Sequence, residues 1–87
     1  MGFERWNDAM RAVLTERYDE LKKQFGTPDT KIARDSGLSV PTITRYFGKR
    51  HDRDGYPDLR VSELENLATA LSIPVARANE LAAKRMH

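Results

Sequence analysis

Arg45 carries the most suggestive chemistry in this chain of 87 residues: a planar fork of donors on a segment whose neighbours include Val40, Pro41, Thr42 and Thr44. At roughly 100° per residue on a helix, Ile43, Tyr46 and Phe47 share one face, so Pro41 and Arg45 point away from it and the two threonines flank the outer side. A guanidinium presented this way can hold a planar acceptor edge by two parallel bonds. Lys49, Arg50, His51 and Arg53 follow at once, and cations of that density suit polyanion binding. Thr27, Thr30, Lys31 and Ser39 are further candidates to meet phosphate, as hydroxyl or ammonium donors near two helix starts.

Net charge is only +2, but its distribution is uneven. Residues 3–25 balance Glu4, Asp8, Glu16, Asp19 and Glu20 against Arg5, Arg11, Arg17, Lys22 and Lys23, whereas residues 31–53 set six bases against Asp35 and Asp52 alone. The middle of the chain is therefore the basic part, and His51 adds a fraction of a charge.

Catalytic and metal chemistry find little to work with. His51 and His87 lack the spacing of a metal site, cysteine is absent, and no glycine-rich phosphate loop is present. The expectation is a non-enzyme with no metal and no cofactor. The lack of cysteine fits a reducing interior, no apolar run approaches the roughly 20 residues of a membrane span, and the charged start Phe3-Glu4-Arg5 is unlike a signal peptide. A cytoplasmic protein is expected.

The elements that must position Arg45 are all helices. Phe3, Trp6, Met10, Val13, Leu14, Tyr18, Leu21 and Phe25 recur at three- and four-residue intervals and predict a long first helix, closed by Gly26 and Pro28. Thr27 is expected to cap a second helix with Pro28 at its first position, reaching about Ser36. Gly37 supplies a positive-φ turn, and Ser39 is expected to cap a third helix to about Phe47. Residues 48–60 read as a basic loop. Ser62-Glu63-Leu64-Glu65 has capping-box spacing for a fourth helix burying Leu64, Leu67, Ala68 and Leu71, and Pro74 opens a fifth with Val75, Ala78, Leu81 and Ala82 on one side, the pair spanning 62–84. Nothing predicts a strand, so the class is all-α, one compact domain over residues 1–87.

Residues 27–47 thus have the layout of a helix-turn-helix. Such a unit needs a small residue where two helices cross, a residue tolerant of positive φ, and apolar residues locking the second helix; Ala33, Gly37, Leu38, Ile43 and Tyr46 meet those demands, with Ile32 at the start of the crossing. If the third helix enters a major groove, Val40, Pro41, Thr42, Thr44 and Arg45 meet base edges. Arg45 would take a guanine, worth about 1–3 kcal/mol of discrimination, and Val40, Pro41 and the threonine methyls would pack on thymine methyls. Thr27, Thr30, Lys31, Ser39, Lys49, Arg50, His51 and Arg53 would meet phosphates.

The run K-I-A-R-D-S-G-L-S-V-P-T-I-T-R-Y-F-G-K-R, followed by V-S-E-L-E-N-L-A-T-A-L-S-I-P, resembles the Xre/Cro/phage-repressor helix-turn-helix family across about residues 10–82. The string G-L-S-V-P-T-I-T-R is also similar to the Lac-repressor headpiece, but Leu64 to Ile73 fits the phage-repressor arrangement better. The resemblance implies a five-helix lambda-repressor-like domain that binds a double-stranded DNA operator and regulates transcription, in a prokaryotic or phage setting, as a Cro-like or immunity-type repressor. Asp29 departs from the family, which often has glutamine there near a phosphate; the loop 48–60 is longer than usual, and the first helix starts earlier, through Phe3 and Trp6. An alternative from the same fold is an antitoxin-type interaction module that binds a toxin and its own promoter. A homodimer could form through the fifth helix or through the Phe3/Trp6 extension.

Overall fold

The computed structural model describes residues 2–48 and 59–86, with side chains from Trp6 onward. Five helices follow in order: α1 (Gly2–Phe25), α2 (Asp29–Ser36), α3 (Val40–Phe47), α4 (Val61–Ala70) and α5 (Val75–Arg85). Among the described residues there is no strand, and no helix is long and apolar enough to cross a membrane. The all-α five-helix expectation is met.

One apolar cluster draws on every helix. Met10 and Leu14 from α1, Ile32 from α2, Ile43 and Tyr46 from α3, Leu64 and Leu67 from α4, and Ala78 and Ala82 from α5 are essentially excluded from solvent. α1 lies along α5, α2 packs on both α3 and α4, and Leu71 and Ile73 close the corner between α4 and α5. Trp6, expected in the apolar period of the first helix and as a possible dimer contact, is half-buried against the core, as are Leu81 and Met86. Phe3's side chain lies outside the described residues.

Helix ends are where the sequence reading needs correction. Gly26 ends α1 at φ 61° as expected, but the core stops at Leu21, and Phe25, one turn later, is 71% exposed rather than on the inner face. Thr27 does not cap α2. Pro28 takes the cap position in an extended conformation, and its carbonyl accepts from Lys31 and Ile32 at 3.1 and 3.4 Å, so the helix begins with Asp29. At the other end Gly37 is left-handed at φ 77°, and Gly37 and Leu38 both donate to the Ala33 carbonyl at 2.9 and 3.1 Å, which turns the chain toward α3.

α4 starts two residues earlier than the Ser62 box predicts. Leu59 is buried and Arg60 caps the helix, its N–H donating to Glu63 Oε1 at 2.9 Å; Ser62 and Glu65 play no part in the cap. The reason is the apolar pair flanking the helix start, since Leu59 and Leu64 both sit in the core and fix the entry as a hydrophobic staple does. α4 ends without glycine. Ser72 takes the left-handed position at φ 64°, and Ile73 donates back to Ala68 at 2.9 Å.

Candidate nucleic-acid interface

α3 owes its start to Ser39, whose Oγ accepts the Thr42 N–H at 3.3 Å and lies 2.7 Å from the Thr42 hydroxyl. Pro41 fits this first turn because it has no N–H to satisfy there. Ile43, Tyr46 and Phe47 are buried, as the helical period required of the inner face. The outer face carries Val40, Pro41, Thr44 and Arg45 in solvent, with Thr42 half-buried beside them. The five residues expected to meet bases therefore line one side of α3.

α1 holds the C-terminal end of this helix. Near the C-terminus, Arg11 donates from Nε to the Tyr46 carbonyl at 3.1 Å and from Nη2 to the Gly48 carbonyl at 3.4 Å, and its guanidinium stands 5.7 Å from the centre of the Tyr46 ring. A cation at a helix C-terminus satisfies carbonyls that have no partner within the helix and complements the dipole. Gly48 leaves the helix so closely that an added Cβ would stand 3.0 Å from the Thr44 carbonyl oxygen. Two turns along α1, the Tyr18 ring stacks on Phe47 with centroids 4.1 Å apart.

Asp29 joins three helices. Its Oδ1 accepts from the Tyr18 hydroxyl at 2.7 Å and pairs with Lys22 Nζ at 2.7 Å, while Oδ2 accepts from the Thr44 hydroxyl at 3.3 Å. Burial works against the Asp29 charge, but the bonds from Lys22, Tyr18 and Thr44 outweigh it and hold the carboxyl below its ordinary pKa. Burial, reinforced by the bond to Asp29, pushes the Tyr18 hydroxyl well above the usual tyrosine range. This network was not foreseen. Its only local sign is Tyr18 and Lys22 sharing one helix face, since Asp29 meets them from 11 and 7 residues away.

The expected phosphate contacts fare unevenly. Thr30 is exposed and Thr27 half-buried at the start of α2. Ser39 and Thr42 share one hydroxyl hydrogen, leaving one hydrogen of the pair for an outside acceptor. Lys31 is exposed but pairs with Asp35 at 2.8 Å. Lys49, Arg50, His51 and Arg53, with most of the 48–60 loop, lie outside the described residues. The motif positions Ile32, Ala33, Ile43 and Tyr46 are buried, Leu38 is half-buried against the core, and Gly37 forms the turn.

Charge pairing distinguishes Arg45 from most of the described cations. Arg17, Lys22, Lys31, Arg34, Arg77, Lys84 and Arg85 all pair with carboxylates. Among the described residues Arg45 makes no such pair, so none of them has to release its guanidinium before it binds outward. The described residues contain no cluster of His, Cys, Asp and Glu fit to hold a metal. Set against models of protein families, curated proteins and solved structures, the chain matches none of them.

Proposed function

We infer that this protein is a sequence-specific binder of double-stranded DNA that regulates transcription as a Cro-like or immunity-type repressor in a prokaryotic or phage-infected cytoplasm. The reading rests on one observation above all: α3 is locked to the body through Ile43, Tyr46 and Phe47 while its outer face offers Val40, Pro41, Thr44 and an Arg45 with no ion pair among the described residues. A short helix held this firmly, with its N-terminal half exposed, has the form needed to enter a major groove. Catalysis has no part in the proposal, and neither does a cofactor.

In this reading Arg45 takes a guanine by its O6 and N7 atoms, Val40 and Pro41 make apolar contact beside it, and Lys49, Arg50, His51 and Arg53 grip the backbone as the chain leaves the groove. If about five to eight phosphates are neutralised, log affinity falls against log salt with a slope of about −5 to −7. The test is a salt titration of binding to duplex DNA. Lys49→Ala and Arg50→Ala should each weaken binding to all sequences alike and flatten the slope by about one. Binding that ignores salt, or variants indistinguishable from the parent, would remove the backbone grip from the account.

A further inference from the structure

Thr44 faces solvent on the outer side of α3, yet its only hydroxyl hydrogen is already used: Oγ1 donates to Asp29 Oδ2 at 3.3 Å. Asp29 is well placed to keep it, being itself anchored by the Tyr18 hydroxyl and by Lys22, each at 2.7 Å. A threonine has one donor hydrogen, and guanine O6 and N7, adenine N7 and thymine O4 all need a donor. With its hydroxyl hydrogen held on α2, the side chain is biased to one staggered arrangement; the oxygen can still accept from an adenine or cytosine amino group, but toward guanine and thymine edges the methyl is the group left to make contact.

We propose that position 44 reads the C5 methyl group of a thymine in the major groove, and that Asp29 is the specificity-determining residue that enforces this by holding the Thr44 hydroxyl on α2. The proposal rests on α3 binding DNA. It adds to the thymine-methyl contact already expected of the threonines the residue that turns the Thr44 methyl outward. The neighbouring surface agrees in character, since Val40 and Pro41 are exposed and apolar. A guanine contact from Arg45 beside a thymine methyl contact from Thr44 would then make up this part of the site.

The experiment uses a duplex recovered by the intact protein from random DNA, with each thymine replaced in turn by deoxyuridine, which removes only the C5 methyl. The wild-type protein should lose roughly fourfold in affinity at one thymine, the worth of one buried methyl. Thr44→Val keeps a methyl and has no hydroxyl, so it should remain sensitive at that thymine. Thr44→Ser lacks the methyl and should lose the sensitivity. Asp29→Ala, which frees the hydroxyl, should also blunt it.

A Thr44→Val protein that loses tenfold or more on the parent duplex would show that the hydroxyl reads DNA and would overturn the proposal, as would Thr44→Ser retaining full sensitivity. So would a recovered site with no methyl-sensitive thymine, and in each of these cases DNA binding itself would stand. No enrichment of any duplex by the wild-type protein would overturn both. Thr44 is exposed, so its variants test the point whether or not Asp29→Ala folds.

Discussion

Two side chains with opposite duties meet on α3. Thr44 is tied inward to Asp29, whereas Arg45, the next residue, has no ion pair among the described residues. The tie has a pH dependence with a definite sign. Because the folded Asp29 pKa lies below the ordinary 3.8, its contribution to stability is complete above about pH 4 and is lost as pH falls through the lower folded value. Asp29→Asn should therefore destabilise the protein at pH 7, with the gap from wild type shrinking below pH 4; urea unfolding at pH 7 and pH 3 measures it. Tyr46 offers a contrasting case, since its hydroxyl is buried with no hydrogen-bond partner among the described residues. Removing an orphaned polar group relieves a desolvation cost of about 1–3 kcal/mol less the packing lost, so Tyr46→Phe should hold or raise stability by about 1 kcal/mol in the same urea experiment.

At the level of elements, the succession of α2, the Gly37 turn and α3 was legible because its determinants are local. Gly37 had to supply a positive φ, Ser39 had the type and place of a cap, and Ala33, Ile43 and Tyr46 fell at spacings that only a buried crossing explains. The helix ends that were misread depend on distant packing. Leu59 is buried by a core assembled from all five helices, which moves the α4 cap to Arg60, and Phe25 is exposed because the core ends at Leu21. Arg11 and Asp29 act across 35 and 15 residues on the C-terminal end and the flank of α3, and no period or motif within α1 or α2 announces such a reach. Ser72 carries a prediction of its own: a serine in the left-handed region pays about 1 kcal/mol that glycine does not. Ser72→Gly should raise stability by roughly 0.5–1 kcal/mol, seen as a rise of a few degrees in Tm.

For the whole molecule, packing of α1 along α5 has a consequence for assembly. Trp6, Leu81 and Met86 are already partly used in the protein's own core, so a second copy would meet only what remains exposed of these two helices. Two copies reading one face of DNA need half-site centres about 34–36 Å apart, and the recovered sequence reports this directly as a palindrome or a single site. The central claim is that the outer face of α3 reads base sequence through Arg45. Selection from random duplex DNA with the wild-type and Arg45→Ala proteins side by side tests it most directly. The account predicts that the wild type enriches a motif containing a fixed guanine and that Arg45→Ala loses the preference at that one base pair, with about 1–3 kcal/mol less discrimination. An unchanged motif and affinity in Arg45→Ala, or no enrichment by the wild type, would contradict it.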